Sequence, residues 1–143
     1  MIVKNILAGK GGNVLTINPT ADVIAAVKLM AERGIGSVVI LCADHRIVGI
    51  LSERDIVRAL AEHGAAVLSE PVSQVMTCEV KTCSEDDTIG DLMGRMTTER
   101  FRHLPVVKEG KLIGIVSIGD VVKSRVEEID QETKTLREYI QTA

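Results

Sequence analysis

Apolar positions along this chain change period in a fixed order, and that order occurs twice. A short amphipathic stretch (Val3, Ile6, Leu7) leads to a brief apolar run at 14–17 that reads as a strand. Val23, Ile24, Val27 and Met30 then recur at helical spacing, with start signals in Asn18-Pro19-Thr20 and a stop at Gly34. Two strands follow, over 37–41 and 47–51, split by the polar turn Asp44-His45-Arg46, and a helix opens at Ser52. The second half repeats the sequence of events. Val72, Val75 and Met76 precede a strand at 80–83; Ile89, Leu92, Met93 and Met96 form a helical stripe that Asp86 and Asp87 can cap. Strands over 103–107 and 111–116 flank Glu109-Gly110, and a helix opens at Ser117.

The two halves align residue for residue. Gly49-Ile50-Leu51-Ser52-Glu53-Arg54-Asp55 falls on Gly114-Ile115-Val116-Ser117-Ile118-Gly119-Asp120, 65 residues on. Thr16 falls on Thr82 and Met30 on Met96 at 66, the difference lying in the turn at 43–46. Ile6 matches Val75 at 69, so the first copy carries three extra residues around Gly9-Lys10-Gly11-Gly12. The pattern predicts a mixed α/β (α+β) chain of two tandem βαββα-type repeats, residues 1–66 and 67–123, with a long helix over 124–143. A repeat this short buries too little surface alone. Two are therefore expected to pack with pseudo-twofold symmetry, and such packing makes paired clefts.

Composition narrows the function classes. One Phe, one Tyr and no Trp leave an aliphatic core and no aromatic platform for single-stranded nucleic acid. A net charge of −3 offers no basic face for DNA or RNA. No apolar run reaches the roughly 18–20 residues that span a membrane. Cys42, Cys78 and Cys83 read as reduced thiols of a cytoplasmic protein. Cys42 is expected to pack as a small apolar residue at a strand end. The spacing of Cys78 and Cys83, without a nearby His pair, is not that of a zinc site, and no metal is expected. His45 and His63 read as solvated surface residues.

Candidate chemistry centres on Ser-x-x-Asp after an apolar strand: Ser52 with Asp55, and Ser117 with Asp120. One reading is a capping box at a helix start. The other joins a helix N-terminus, which favours phosphate, to a carboxylate able to grip a ribose diol. The two are compatible. Gly9-Lys10-Gly11-Gly12 lacks the Gly-Lys-Ser/Thr ending of a phosphate loop and reads as a mobile loop, or as a lid or contact for a bound nucleotide. Neither Ser nor Asp has a base beside it in sequence, so the chain is read as a non-enzyme.

Those residues carry a resemblance. Arg102-His103-Leu104-Pro105-Val106-Val107 with Ile113–Asp120, and Gly36–Ile40 with Val48–Asp55, resemble the cystathionine-β-synthase-type (CBS) domain, and the pair resembles a Bateman module. The resemblance implies a regulatory, energy-sensing module. Its ligands would be adenosine compounds (AMP, ADP, ATP, NAD(H) or S-adenosylmethionine), bound in clefts between repeats. It assigns ribose to Asp55 and Asp120, phosphate to Ser52 and Ser117, and the adenine walls to Thr16, Val38, Thr82 and Leu104. Arg102, His103 and Arg54 would face phosphate, while Ser37 stands where the second copy has His103, and Val39 where it has Pro105. Two unequal sites are expected. The resemblance also implies a homodimer through the modules, and the lack of an attached output domain implies an effector protein acting in trans. Val122, Val126, Ile129, Thr133, Leu136 and Ile140 form a heptad-like seam, read either as a helix lying along its own module or as a dimer seam.

Overall fold

The computed structural model describes residues 1–142; Ala143, the last residue of the predicted C-terminal helix, lies outside the described residues. In chain order the elements are α1 (Val3–Lys10), β1 (Thr16–Ile17), α2 (Val23–Arg33), β2 (Ser37–Leu41), β3 (Ile47–Ser52), α3 (Glu53–His63), α4 (Ile89–Glu99), β4 (His103–Lys108), β5 (Lys111–Ser117) and α5 (Ile118–Thr142). Short 3₁₀ turns at Ala65–Ser69 and Val72–Gln74 link α3 to the second half.

The chain forms two compact units that interleave in sequence. The first-repeat unit holds Asn13–Lys81 and Glu109–Ile113; the second-repeat unit holds Met1–Gly12, Thr82–Lys108 and the chain from Gly114 onward. The segment leading into each sequence repeat therefore folds into the other repeat's unit.

In the first-repeat unit β1 runs parallel to β2, with Thr16 opposite Val39, and β2 runs antiparallel to β3, with Ser37 opposite Ser52. The core follows from two periodicities. Val23, Ala26 and Met30 share one face of α2, while Val38 and Ile40 share one face of β2. Leu51, Ile56 and Val72 complete the cluster.

β4 pairs with β5, and Glu109 and Gly110 between them both have positive φ (51° and 76°), as a two-residue hairpin turn requires. Ile89, Leu92 and Met96 of α4 and Val121 of α5 are buried. Cys83 is buried too, and burial, aided by the charge of Asp87, pushes its thiol pKa up to about 11, so it stays protonated at neutral pH. Along α5, Val121 and Ser124 are buried, but every residue over 129–141 is exposed. A helix lying along its own module describes only the first turns of α5.

Three local expectations change. Helix α2 starts at Val23 after Asp22, because Asn18 Oδ1 accepts from Thr20 N (2.9 Å) and Thr20 Oγ1 (2.8 Å) and closes a turn first. Thr88, not Asp86 or Asp87, caps α4: its Oγ1 accepts from Asp91 N at 3.1 Å, while Asp87 accepts from Ser84 N at 2.8 Å. The strand expected at 80–83 reduces to a parallel bridge between Cys83 and Val106. The reason is one residue. Val39 N donates to Leu15 O at 3.4 Å, extending the pairing beside β1, whereas the equivalent Pro105 has no N–H to donate.

Among the described residues no helix is long and apolar enough to cross a membrane.

Candidate functional site

The site begins with a glycine. A side chain on Gly49 would meet Met76 Sδ at 2.3 Å and Cγ at 2.8 Å; one on Gly114 would meet Leu7 Cδ2 at 2.6 Å. Met76 and Leu7 are equivalent residues of the two lead-in segments. Each glycine thus lets a lead-in segment lie directly against a strand, just ahead of a Ser-x-x-Asp box. In the first-repeat unit Ile50 and Thr77 exchange backbone hydrogen bonds of 3.0 and 2.9 Å. In the second-repeat unit α1 is tied down by Val3 N to Asp87 O (2.9 Å) and Lys4 N to Glu85 O (2.8 Å).

Both boxes form. Ser52 N donates to Asp55 Oδ2 at 2.9 Å and Asp55 N donates to Ser52 Oγ at 3.2 Å; Ser117 N and Asp120 N make the matching bonds at 2.9 and 3.1 Å. One further bond recurs at each helix start. Glu53 N donates to Gly36 O (3.1 Å), and Ile118 N donates to Arg102 O (2.8 Å). The capping reading of these residues therefore holds, and it fixes each carboxylate at the N-terminal end of a helix, the end that favours anions.

The surroundings of the two carboxylates differ. Asp55 Oδ2 also accepts from Ser52 Oγ (3.0 Å), and its Oδ1 accepts from Thr77 Oγ1 (3.1 Å). Asp120 instead receives a charge: Lys10 Nζ donates to Asp120 Oδ2 at 2.7 Å and to Ile115 O at 3.0 Å. Burial raises the Asp120 pKa, but Lys10 and the Ser117 amide outweigh it and hold the carboxyl below its ordinary value. Both of these bonds fall on Oδ2 rather than Oδ1.

Asp55 also stands in the wall of a cavity of about 390 Å³, between α3 and residues 66–75, beside Arg58, Glu62 and His63. Arg54 is exposed on the first turn of α3. Thr16 and Thr82 are exposed, and the Thr82 carbonyl accepts from Arg95 Nη2 at 3.1 Å. Ser37 is buried across the sheet from Ser52. Arg102 is exposed and His103 half-buried at the start of β4. Val38, Leu104 and Pro105 are buried in their strands, so their side chains offer no surface to a ligand in this conformation.

Sequence reasoning did not single out Thr77 or Arg95. It reached Lys10 only through the extra glycine-rich residues of the first copy, because the partner of Lys10 lies 110 residues away. Among the described residues no group of three or more His, Cys, Asp or Glu could hold a metal ion.

Two segments of the chain, residues 4–62 and 72–127, match the CBS domain. The chain belongs to the CBS domain family. The two matched CBS domains are the two sequence repeats, and the mixed α+β fold with its long C-terminal helix is that of CBS pairs. A CBS-domain containing protein from Agrobacterium tumefaciens is 45% identical, with a TM-score of 0.85 over 87% of this chain and 92% of that one. A mitochondrial CBS domain-containing protein of Arabidopsis thaliana is 34% identical over 97% of this chain and 71% of its own length. The chain spans 66% of a 17.7 kDa Acidianus ambivalens relative, at 39% identity over 78% of this chain. A CBS domain protein from Pyrobaculum aerophilum, solved in complex with AMP, is 26% identical, with a TM-score of 0.74 over 84% of this chain and 89% of that one.

Proposed function

We propose that this CBS pair is an adenine-nucleotide sensor. It binds AMP, ADP, ATP or NAD(H) at its Ser-Asp boxes and passes occupancy to an effector protein in trans. The observation that carries the reading is the duplicated box: in each copy a carboxylate is held at a helix N-terminus by a serine amide. That arrangement offers an acceptor for a ribose diol beside a positive helix end for phosphate. The AMP complex of the Pyrobaculum CBS protein supports the ligand class.

Asp120 offers an oxygen to one diol hydroxyl, and Lys10, with Arg102 exposed at the entry to β4, supplies cationic character for a phosphate. Asp55 meets a ligand by release of the Thr77 hydroxyl. A ligand shifts the module between states only by binding one state more tightly. Because the lead-in segments contact both carboxylates, they are the elements that occupancy would move.

Isothermal titration with AMP, ATP and NADH tests the reading. An Asp120→Ala variant is expected to lose roughly 1.5–3 kcal/mol at its site, the range for hydrogen bonds to a charged group. Absence of heat with all three ligands, in protein freed of carried-over nucleotide, would leave the boxes as helix caps alone.

A further inference from the structure

Helix α5 carries an apolar stripe that its own chain leaves open. Ile118, Val122, Val126, Ile129, Leu136 and Ile140 are 39 to 65% exposed. At about 100° per residue they share one face, roughly a third of a turn from the face that buries Val121 and Ser124. The spacing from Val122 to Ile140 alternates four and three residues, the period of a coiled-coil seam.

We propose that a second copy of this chain docks along this stripe, the two α5 helices running parallel in a two-stranded coiled coil. Two features of the helix choose that occupant. Val126, Thr133 and Ile140, all β-branched, occupy one seam position and Val122, Ile129 and Leu136 the other. β-Branched residues at the first position suit a parallel dimer, and a polar residue there sets register. The flanking charges then decide orientation. In parallel register Arg125 meets Asp130 of the second copy and Glu132 meets its Arg137, each pair occurring twice by symmetry. Fully overlapped antiparallel helices would instead set Asp130 on Asp130, Glu132 on Glu132 and Lys123 on Arg137, all like charges. Arg125 already donates to Glu128 at 2.7 Å, and its five-donor guanidinium has further N–H groups for a second carboxylate.

Sedimentation of the full chain tests the proposal. The wild type is expected to dimerise, with a thermal midpoint that rises with concentration, and Ile129→Asp with Leu136→Asp to make it a folded monomer whose midpoint does not depend on concentration, since both positions are exposed. Arg137→Glu is expected to weaken the dimer about tenfold, and adding Glu132→Arg to restore it, because the crossed pairs become attractive again. A wild type that stays monomeric, or a dimer that survives the paired Asp substitutions, overturns the seam. Loss in Arg137→Glu without rescue by the double variant overturns the parallel register.

Discussion

Asp55 and Asp120 occupy the same frame and keep different company. Each is held by a serine amide at 2.9 Å and stands at a helix start behind a Gly-Ile strand. Yet Asp55 spends both oxygens on uncharged partners, whereas Asp120 is paired with an ammonium at 2.7 Å. The repeat itself does not make this difference. It comes from the lead-in segments, which fold into the opposite unit and bring Thr77 to one carboxylate and Lys10 to the other. Duplication supplies two equal frames; an element exchanged between them makes the sites unequal.

The glycines beneath the lead-in segments give the largest way to break that comparison. Gly49→Ala is expected to destabilise by about 2–3 kcal/mol and Gly114→Ala by about 1–2 kcal/mol, within the overpacking range. The first meets the shaft of Met76, the second only the methyl ends of Leu7. Chemical denaturation of both variants measures the gap, and an equal loss would mean that Met76 swings away as readily as Leu7.

The helix ends offer a mid-sized test. Gly34 closes α2 at φ 64°, and Arg100 closes α4 at φ 60°, a left-handed conformation that costs a side chain. Arg100→Gly is expected to stabilise by about 1 kcal/mol and Gly34→Ala to destabilise by a similar amount, read as opposite shifts in thermal midpoint.

The ion pair gives the smallest and most specific effect. Lys10 and Asp120 are both partly exposed, so Lys10→Met should cost only about 0.5 kcal/mol at neutral pH. Asp120 has a depressed pKa in the folded state. The contribution of the pair is therefore present above the ordinary carboxylate range and disappears as pH falls through the folded value. Stability curves of wild type and Lys10→Met should converge in acid.

Much of this was legible in the amino-acid pattern. Both periodicities, the two boxes and the hairpin at Glu109-Gly110 are local signals, and the duplicate reinforced each. The misplaced helix starts came from short polar residues with several possible partners: Asn18 and Asp87 close turns of their own instead of capping. The lost strand at 80–83 was written in Pro105, but reading it required knowing which segment lies beside that proline. Lys10 and Thr77 stayed hidden for a topological reason. Their partners lie 110 and 22 residues away and are brought together by lead-in segments that cross between units. No periodicity within one repeat encodes that exchange.

An AMP titration of Asp55→Ala and Asp120→Ala side by side with the wild type tests whether the two boxes are separate and unequal sites. Two unequal binding steps are expected in the wild type, each variant losing a different one. Two identical steps, or two variants that both bind as the wild type does, would contradict that reading.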